Sequence, residues 1–153
     1  MPASPGAAVG KIVFTAEAAV EKAAEGNTVI LVRTETSPED LIGMNVAQGI
    51  LTSRGGMTSH AAVVARGMGK CCIAGCADAI IDEKNKVMKI GQLVFHEDDY
   101  ITLDGSKGDV YDGKLPVVDP ELSGDFGKLM LLADKHRRLK VRTNADIPRD
   151  ANI

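Results

Sequence analysis

Three short apolar runs, at 29–32, Gly49–Thr52 and 71–74, are each separated from the next by one helix-compatible stretch. A helix between two strands of one sheet carries the chain back to the edge it started from, so such strands run parallel. The alternation therefore predicts an α/β fold with helices packed on a partly parallel sheet. Ahead of the first run, residues 15–26 open on Thr15, place Ala16, Ala19, Val20 and Ala23 on one face and stop at Gly26. That is the pattern of a short amphipathic helix with a cap at each end. Behind the first run, Ser37 is placed to cap, Pro38 suits the first helical position, and Glu39 and Asp40 favour the positive helix end.

After Gly75 the period changes from helical to two, with Gly residues and the Asp104-Gly105 turn as punctuation. This predicts antiparallel strands. The acidic stretch from His96 to Tyr100 reads as a polar hairpin turn between two of them. Residues 5–14 have the same alternating character, which predicts that the two ends of the domain pair and bring its termini together. Beyond Gly113 a Pro-containing connector leads to a helix with Leu129, Leu132, Ala133 and His136 on one stripe. Its basic end, from His136 to Lys140, complements the helix dipole. The last stretch, 141–153, reads as a strand with nothing to pair with, and points to a longer parent chain.

Of the 153 residues 44% are hydrophobic but only 3% aromatic, with no Trp, so small side chains must fill much of the core. Eighteen basic and 21 acidic residues give a net charge of −3, which offers no basic field to nucleic acid or an anionic membrane. No apolar run approaches the roughly 20 residues that span a bilayer, and the amino end lacks a secretory pattern, so a cytoplasmic location is expected. Cys71, Cys72 and Cys76 are odd in number and clustered. Adjacent cysteines on a strand point to opposite faces, so buried small-hydrophobe roles are expected for them ahead of zinc, and no metal site is predicted within the chain.

The segment 53–70 concentrates the chemistry, bringing Gly55, Gly56, Thr58, Ser59 and His60 together at the start of a helix. Glycines let the backbone turn and approach a phosphate closely, and the unpaired N–H groups of a helix start attract negative charge. Thr58 and Ser59 can cap that helix or bond phosphate oxygens, and the positive helix end favours a neutral, nucleophilic His60 ring. Such a ring can accept a phosphoryl group as a phosphoramidate. Arg54, Arg66 and Lys70 flank the loop and are first expected as solvated charges; of the three, Arg54 is best placed to clamp phosphate and Arg66 is too far along the helix. His96 and His136 stand in no motif and are assigned surface or half-buried positions. Two functions fit these residues: a covalent phosphocarrier, or an anion-binding module that forms no bond.

The string from Gly55 to Cys72 resembles the phosphohistidine signature of phosphoenolpyruvate-utilising enzymes. With the segments 3–11, 30–44 and 139–146 the resemblance extends along nearly the whole chain, and it is strongest to the pyruvate, phosphate dikinase branch. Other branches, such as phosphoenolpyruvate synthase and enzyme I of the sugar phosphotransferase system, usually carry Arg where this chain has Met57. The resemblance implies a swivelling β/β/α three-layer phosphohistidine domain over 1–114, a linker with helix over 115–140, and at 141–153 the first strand of a truncated barrel. It implies that His60 carries phosphoryl between separate ATP and pyruvate sites, interconverting ATP, phosphate and pyruvate with AMP, diphosphate and phosphoenolpyruvate. Partners would be the nucleotide-binding and pyruvate-binding domains of one full-length enzyme, a homodimer, with Mg²⁺ held outside this chain. In plant members the residue matching Thr58 is a target of regulatory phosphorylation.

Overall fold

The computed structural model describes residues 1–118 and 124–138. Its first compact unit, Met1–Val117, has a mixed α/β fold built on a seven-stranded sheet. In chain order the strands and helices are β1 (Pro2–Ser4), β2 (Ala7–Val13), α1 (Ala16–Ala24), β3 (Val29–Arg33), α2 (Leu41–Val46) and β4 (Gly49–Thr52). They continue with α3 (His60–Gly67), β5 (Cys71–Ile73), β6 (Ala79–Asp82), β7 (Val87–Ile90), β8 (Leu93–His96), β9 (Tyr100–Asp104) and β10 (Asp109–Asp112). A 3-10 turn, Pro38–Asp40, leads into α2.

The large sheet has the order β1-β5-β4-β3-β2-β9-β10, and β6-β7-β8 form a separate antiparallel sheet. Strands β2 to β5 pair in parallel, in the order that the βαβ alternation predicts. β2 also pairs antiparallel with β9, so the early and late parts of the unit meet as expected, but β2 belongs to both kinds of ladder.

Strand alternation sends each neighbouring residue to a different core. Val29, Leu31, Ile50 and Cys72 pack with the helix alanines Ala19, Ala61, Ala62 and Ala65, while Ile30, Val32, Leu51 and Ile73 pack with Met88 and Phe95 of the small sheet. Alanine on the helices lets a helix lie close to the sheet, which suits a core with so few aromatics. Cys71 and Cys72 lie in opposite cores, both buried, and burial pushes their thiols up to about 11 and about 12.

Two sequence expectations are corrected. Val20 is exposed, and the buried face of α1 is formed by Ala16 and Ala19 with Ala18 packed beside them, since the helix rests on the sheet through its smallest side chains. Thr15 is that cap, its Oγ1 accepting from Ala18 N–H at 3.1 Å. The His96–Tyr100 segment is not a hairpin turn: β8 and β9 belong to different sheets, and the segment crosses between them. Asp98, at φ 74, pairs with Lys22 there, and Asp99 Oδ2 accepts from His96 N–H at 2.6 Å. The crossing thus turns on local carboxylate bonds of the kind that also make hairpins, which is why the two look alike in sequence.

In the second unit, α4 (Gly124–His136) carries an Asp125–Lys128 pair at 3.0 Å. Leu129 and Leu132 of the predicted stripe are exposed. The expected strand at 141–153, and Lys140, lie outside the described residues. No helix among the described residues is long and apolar enough to cross a membrane.

Candidate phosphoryl-acceptor site

β3 and β4 are parallel neighbours, with Arg33 paired to Thr52 at their carboxyl ends. The loops that leave those ends are therefore side by side, in the position where open α/β sheets place their ligands. The loop after β4 ends at His60, the first residue of α3, and the loop after β3 carries Thr36. Thr36 Oγ1 lies 3.2 Å from His60 Nδ1, and Thr36 is buried while His60 is half-buried.

The loop's shape follows from local bonds. Ser59 is the cap: its Oγ accepts from Ala62 N–H at 3.4 Å and donates to Gly56 O at 2.8 Å. Thr58, exposed, does not cap. Among the described residues the N–H groups of His60 and Ala61, in the first turn of α3, meet no acceptor.

The glycine pair divides its roles. Gly55 sits at φ +102 and a Cβ there would come within 2.8 Å of Ser59 Cβ, so its conformation and its bareness are both needed to form the cap. A Cβ on Gly56 would meet nothing within 4 Å, which leaves that stretch of backbone open to approach from outside. Behind the loop, Gly75 sits at φ +64, and a Cβ there would fall 2.1 Å from Gly55 O. Thr52 ties the two strand ends together, donating to Arg54 O at 2.7 Å and accepting from Gly75 N–H at 3.4 Å.

Of the flanking cations, Arg54 is exposed and its guanidinium makes no bond among the described residues. Arg66 Nε donates to Ala62 O at 3.0 Å and its Nη2 to Met57 O, so it fastens the loop to the helix. Lys70 Nζ donates to Ala47 O. The structure thus gathers His60, Ser59, Gly55 and Gly56 at one place and leaves Arg54 and Thr58 at its rim.

Sequence reasoning missed Thr36, and with it Arg33, Asp40 and Glu83. Asp40 is buried and lies 3.4 Å from Arg33 Nε, while Arg33 Nη1 lies 2.9 Å from Glu83 Oε2. The usable signal was the parallel pairing itself: a hydroxyl just past one strand and an imidazole just past its neighbour are brought together by the sheet. Among the described residues no three His, Cys, Asp or Glu side chains converge as metal ligands.

Residues 25–108 match the family described as "PEP-utilising enzyme, mobile domain". Over 151 residues, 99% of this chain, the sequence is 56% identical to a pyruvate, phosphate dikinase of Rhizobium meliloti and 60% identical to the chloroplastic pyruvate, phosphate dikinase 1 of Arabidopsis thaliana. It is 57% identical over 150 residues to the pyruvate, phosphate dikinase of Clostridium symbiosum. The chain spans 17%, 16% and 17% of the length of these three relatives.

Proposed function

The chain belongs to the family of phosphoenolpyruvate-utilising enzyme mobile domains, and we propose that it is the phosphoryl-carrier part of a pyruvate, phosphate dikinase, with His60 as the acceptor. The observation that carries this reading is the Thr36 contact, which engages Nδ1 and leaves Nε2 of His60 with no partner among the described residues. With Nδ1–H donating to Thr36 Oγ1, the Nε2 lone pair is the nucleophile. It attacks the phosphorus of phosphoenolpyruvate; with ATP as donor, the products AMP and diphosphate require attack at the β-phosphorus, AMP leaving and the outer phosphoryl then passing to phosphate. The N–P bond forms as the P–O bond to the leaving group breaks, and that bond's electron pair stays on the leaving oxygen. The free N–H groups in the first turn of α3, with the helix dipole behind them, would offset the charge of the transferred oxygens. Gly56 leaves the approach open, and the exposed Arg54 and Thr58 would contact the incoming phosphate.

The wider reaction would convert ATP, pyruvate and phosphate to AMP, phosphoenolpyruvate and diphosphate, the carrier moving between a nucleotide-binding and a pyruvate-binding domain of one cytoplasmic, homodimeric enzyme. In this reading residues 1–114 are a swivelling three-layer domain and 115–140 a linker containing α4. Residues 141–153, outside the described residues, begin the pyruvate-binding barrel. Mg²⁺, held by those other domains, would supply charge neutralisation at the phosphates. Phosphorylation of the exposed Thr58 would add negative charge two residues from His60 and oppose an incoming phosphate.

The test is intact-mass and fragment analysis of the full-length enzyme after incubation with labelled phosphoenolpyruvate and Mg²⁺. Acid-labile, alkali-stable label is expected on His60 and is expected to vanish in His60→Ala. Label that persists in a folded His60→Ala enzyme would remove His60 from the role. A non-covalent anion module would lose only affinity in that variant.

A further inference from the structure

The segment 34–37, which carries Thr36, is tied to a carboxylate at each end. Thr34 N–H donates to Glu83 Oε1 at 2.7 Å, and Ser37 N–H donates to Asp40 Oδ2 at 2.8 Å. Arg33 joins the two carboxylates: Nη1 lies 2.9 Å from Glu83 Oε2 and Nε lies 3.4 Å from Asp40 Oδ1. Nη1 also donates to Phe14 O at 3.0 Å, which anchors the guanidinium just past the end of β2. The side chains of Arg33, Glu83 and Asp40 are 22%, 30% and 6% exposed, so the three charges are held largely out of water. Arg33 Nε, fully buried, approaches Asp40 as a charge but misses hydrogen-bond geometry, so the pair is held by attraction and by the other bonds of each partner.

Charges in this setting add little net stability, because their desolvation offsets their attraction. Their effect is on geometry: a planar guanidinium with bonds on several sides admits few arrangements of the groups around it. The group so fixed is the segment whose middle hydroxyl touches His60 Nδ1. Glu83 comes from the turn between β6 and β7, so the small sheet reaches the segment 34–37 through its carboxylate.

We propose that Arg33, Asp40 and Glu83 are positioning residues for the acceptor: they clamp residues 34–37 so that Thr36 Oγ1 stays against Nδ1 of His60, which fixes the ring's orientation and, with Nδ1–H as the donor, keeps Nε2 unprotonated for attack. This rests on the carrier reading of His60, and none of the three touches the phosphoryl group. With the clamp broken, Thr36 drifts from Nδ1, the ring samples both tautomers, and the fraction with an unprotonated Nε2 falls.

The experiment is ¹⁵N NMR of the imidazole in the 153-residue chain, which reads the tautomer without any phosphoryl donor. The parent is expected to show separate signals for a protonated Nδ1 and an unprotonated Nε2. Thr36→Val should move both signals toward one averaged position, and Glu83→Ala and Arg33→Met should do the same in part. Arg33→Lys, which keeps the charge but lacks the planar fork that fixes two carboxylates at once, should recover some of the separation. Should Arg33→Met fail to fold, Glu83→Gln at a part-exposed side chain carries the test. Folded Glu83→Ala or Glu83→Gln chains that keep the parent's full separation would overturn the proposal. So would an equal change in Lys22→Gln, which breaks a remote pair with Asp98, because the response would then be a general loosening. The carrier reading fails by a different readout, the absence of label on His60 in the full-length enzyme.

Discussion

The parallel and antiparallel halves of the first unit solve burial differently. β4 is buried at every position and β3 at all but Arg33, since one face meets helices and the other meets the small sheet. β7 and β8 bury essentially one face, through Met88 and Phe95, and leave Ile80, Lys89 and Val94 outside on neighbouring strands. A strand buried on both faces can vary little along its length, so its chemistry moves to the loops at its ends, where Thr36 and His60 meet. The antiparallel half instead covers a core and sends Glu83 to steady one of those loops.

Substitutions at matched positions sharpen the contrast. The largest effect is expected where the parallel half turns back on itself. Gly75→Ala adds a left-handed Ala and a Cβ 2.1 Å from Gly55 O, and should cost about 3–5 kcal/mol. Gly56→Ala, in open space, should change stability by less than about 0.5 kcal/mol. Urea unfolding of the two variants measures both. If Gly75→Ala is as stable as Gly56→Ala, the close approach of the two loops is not what shapes the site.

In the antiparallel half, Met88→Ala should lose about 3 kcal/mol from the core it shares with the large sheet. Ile80→Ala, on the outer face, should lose no more than about 0.5 kcal/mol. Equal losses would mean that the outer face is not a solvent face. Thermal melts read by circular dichroism separate the two.

A smaller effect distinguishes the two faces of β5. Burial raises both thiols, Cys71 to about 11 and Cys72 to about 12 from 9.0, so the native chain keeps protons that the unfolded chain releases. The resulting stability is complete below about pH 9 and is lost as pH rises through those higher values. Urea midpoints should therefore fall between about pH 8 and about pH 11, and part of that fall should disappear in Cys72→Ala. Half-buried Cys76 should react with a thiol reagent before either, as followed by peptide mass analysis.

Much of the fold was legible because its signals are local. The apolar runs at β3, β4 and β5, the Thr15 cap and the Asp104-Gly105 turn each sit in a few residues and landed where the periodicity placed them. The His96–Tyr100 crossing was not legible, because a turn's chemistry is the same whether the next strand joins its own sheet or another. At the site, the Gly-rich approach to His60 stood out in sequence for the same local reason. Which hydroxyl caps α3 did not: Thr58 and Ser59 differ only by one place along the loop, and the turn forced by Gly55 selects Ser59.

The sequence by itself determined the alternation of strands and helices, the small-residue core and the placing of His60 at a helix start, since propensity, period and capping act within one turn or one strand. Only the tertiary structure decided that Thr36 faces His60, and that Arg33 joins Asp40 to Glu83. Those contacts join residues 24, 7 and 50 positions apart, and it is sheet pairing and the docking of the small sheet that bring them together.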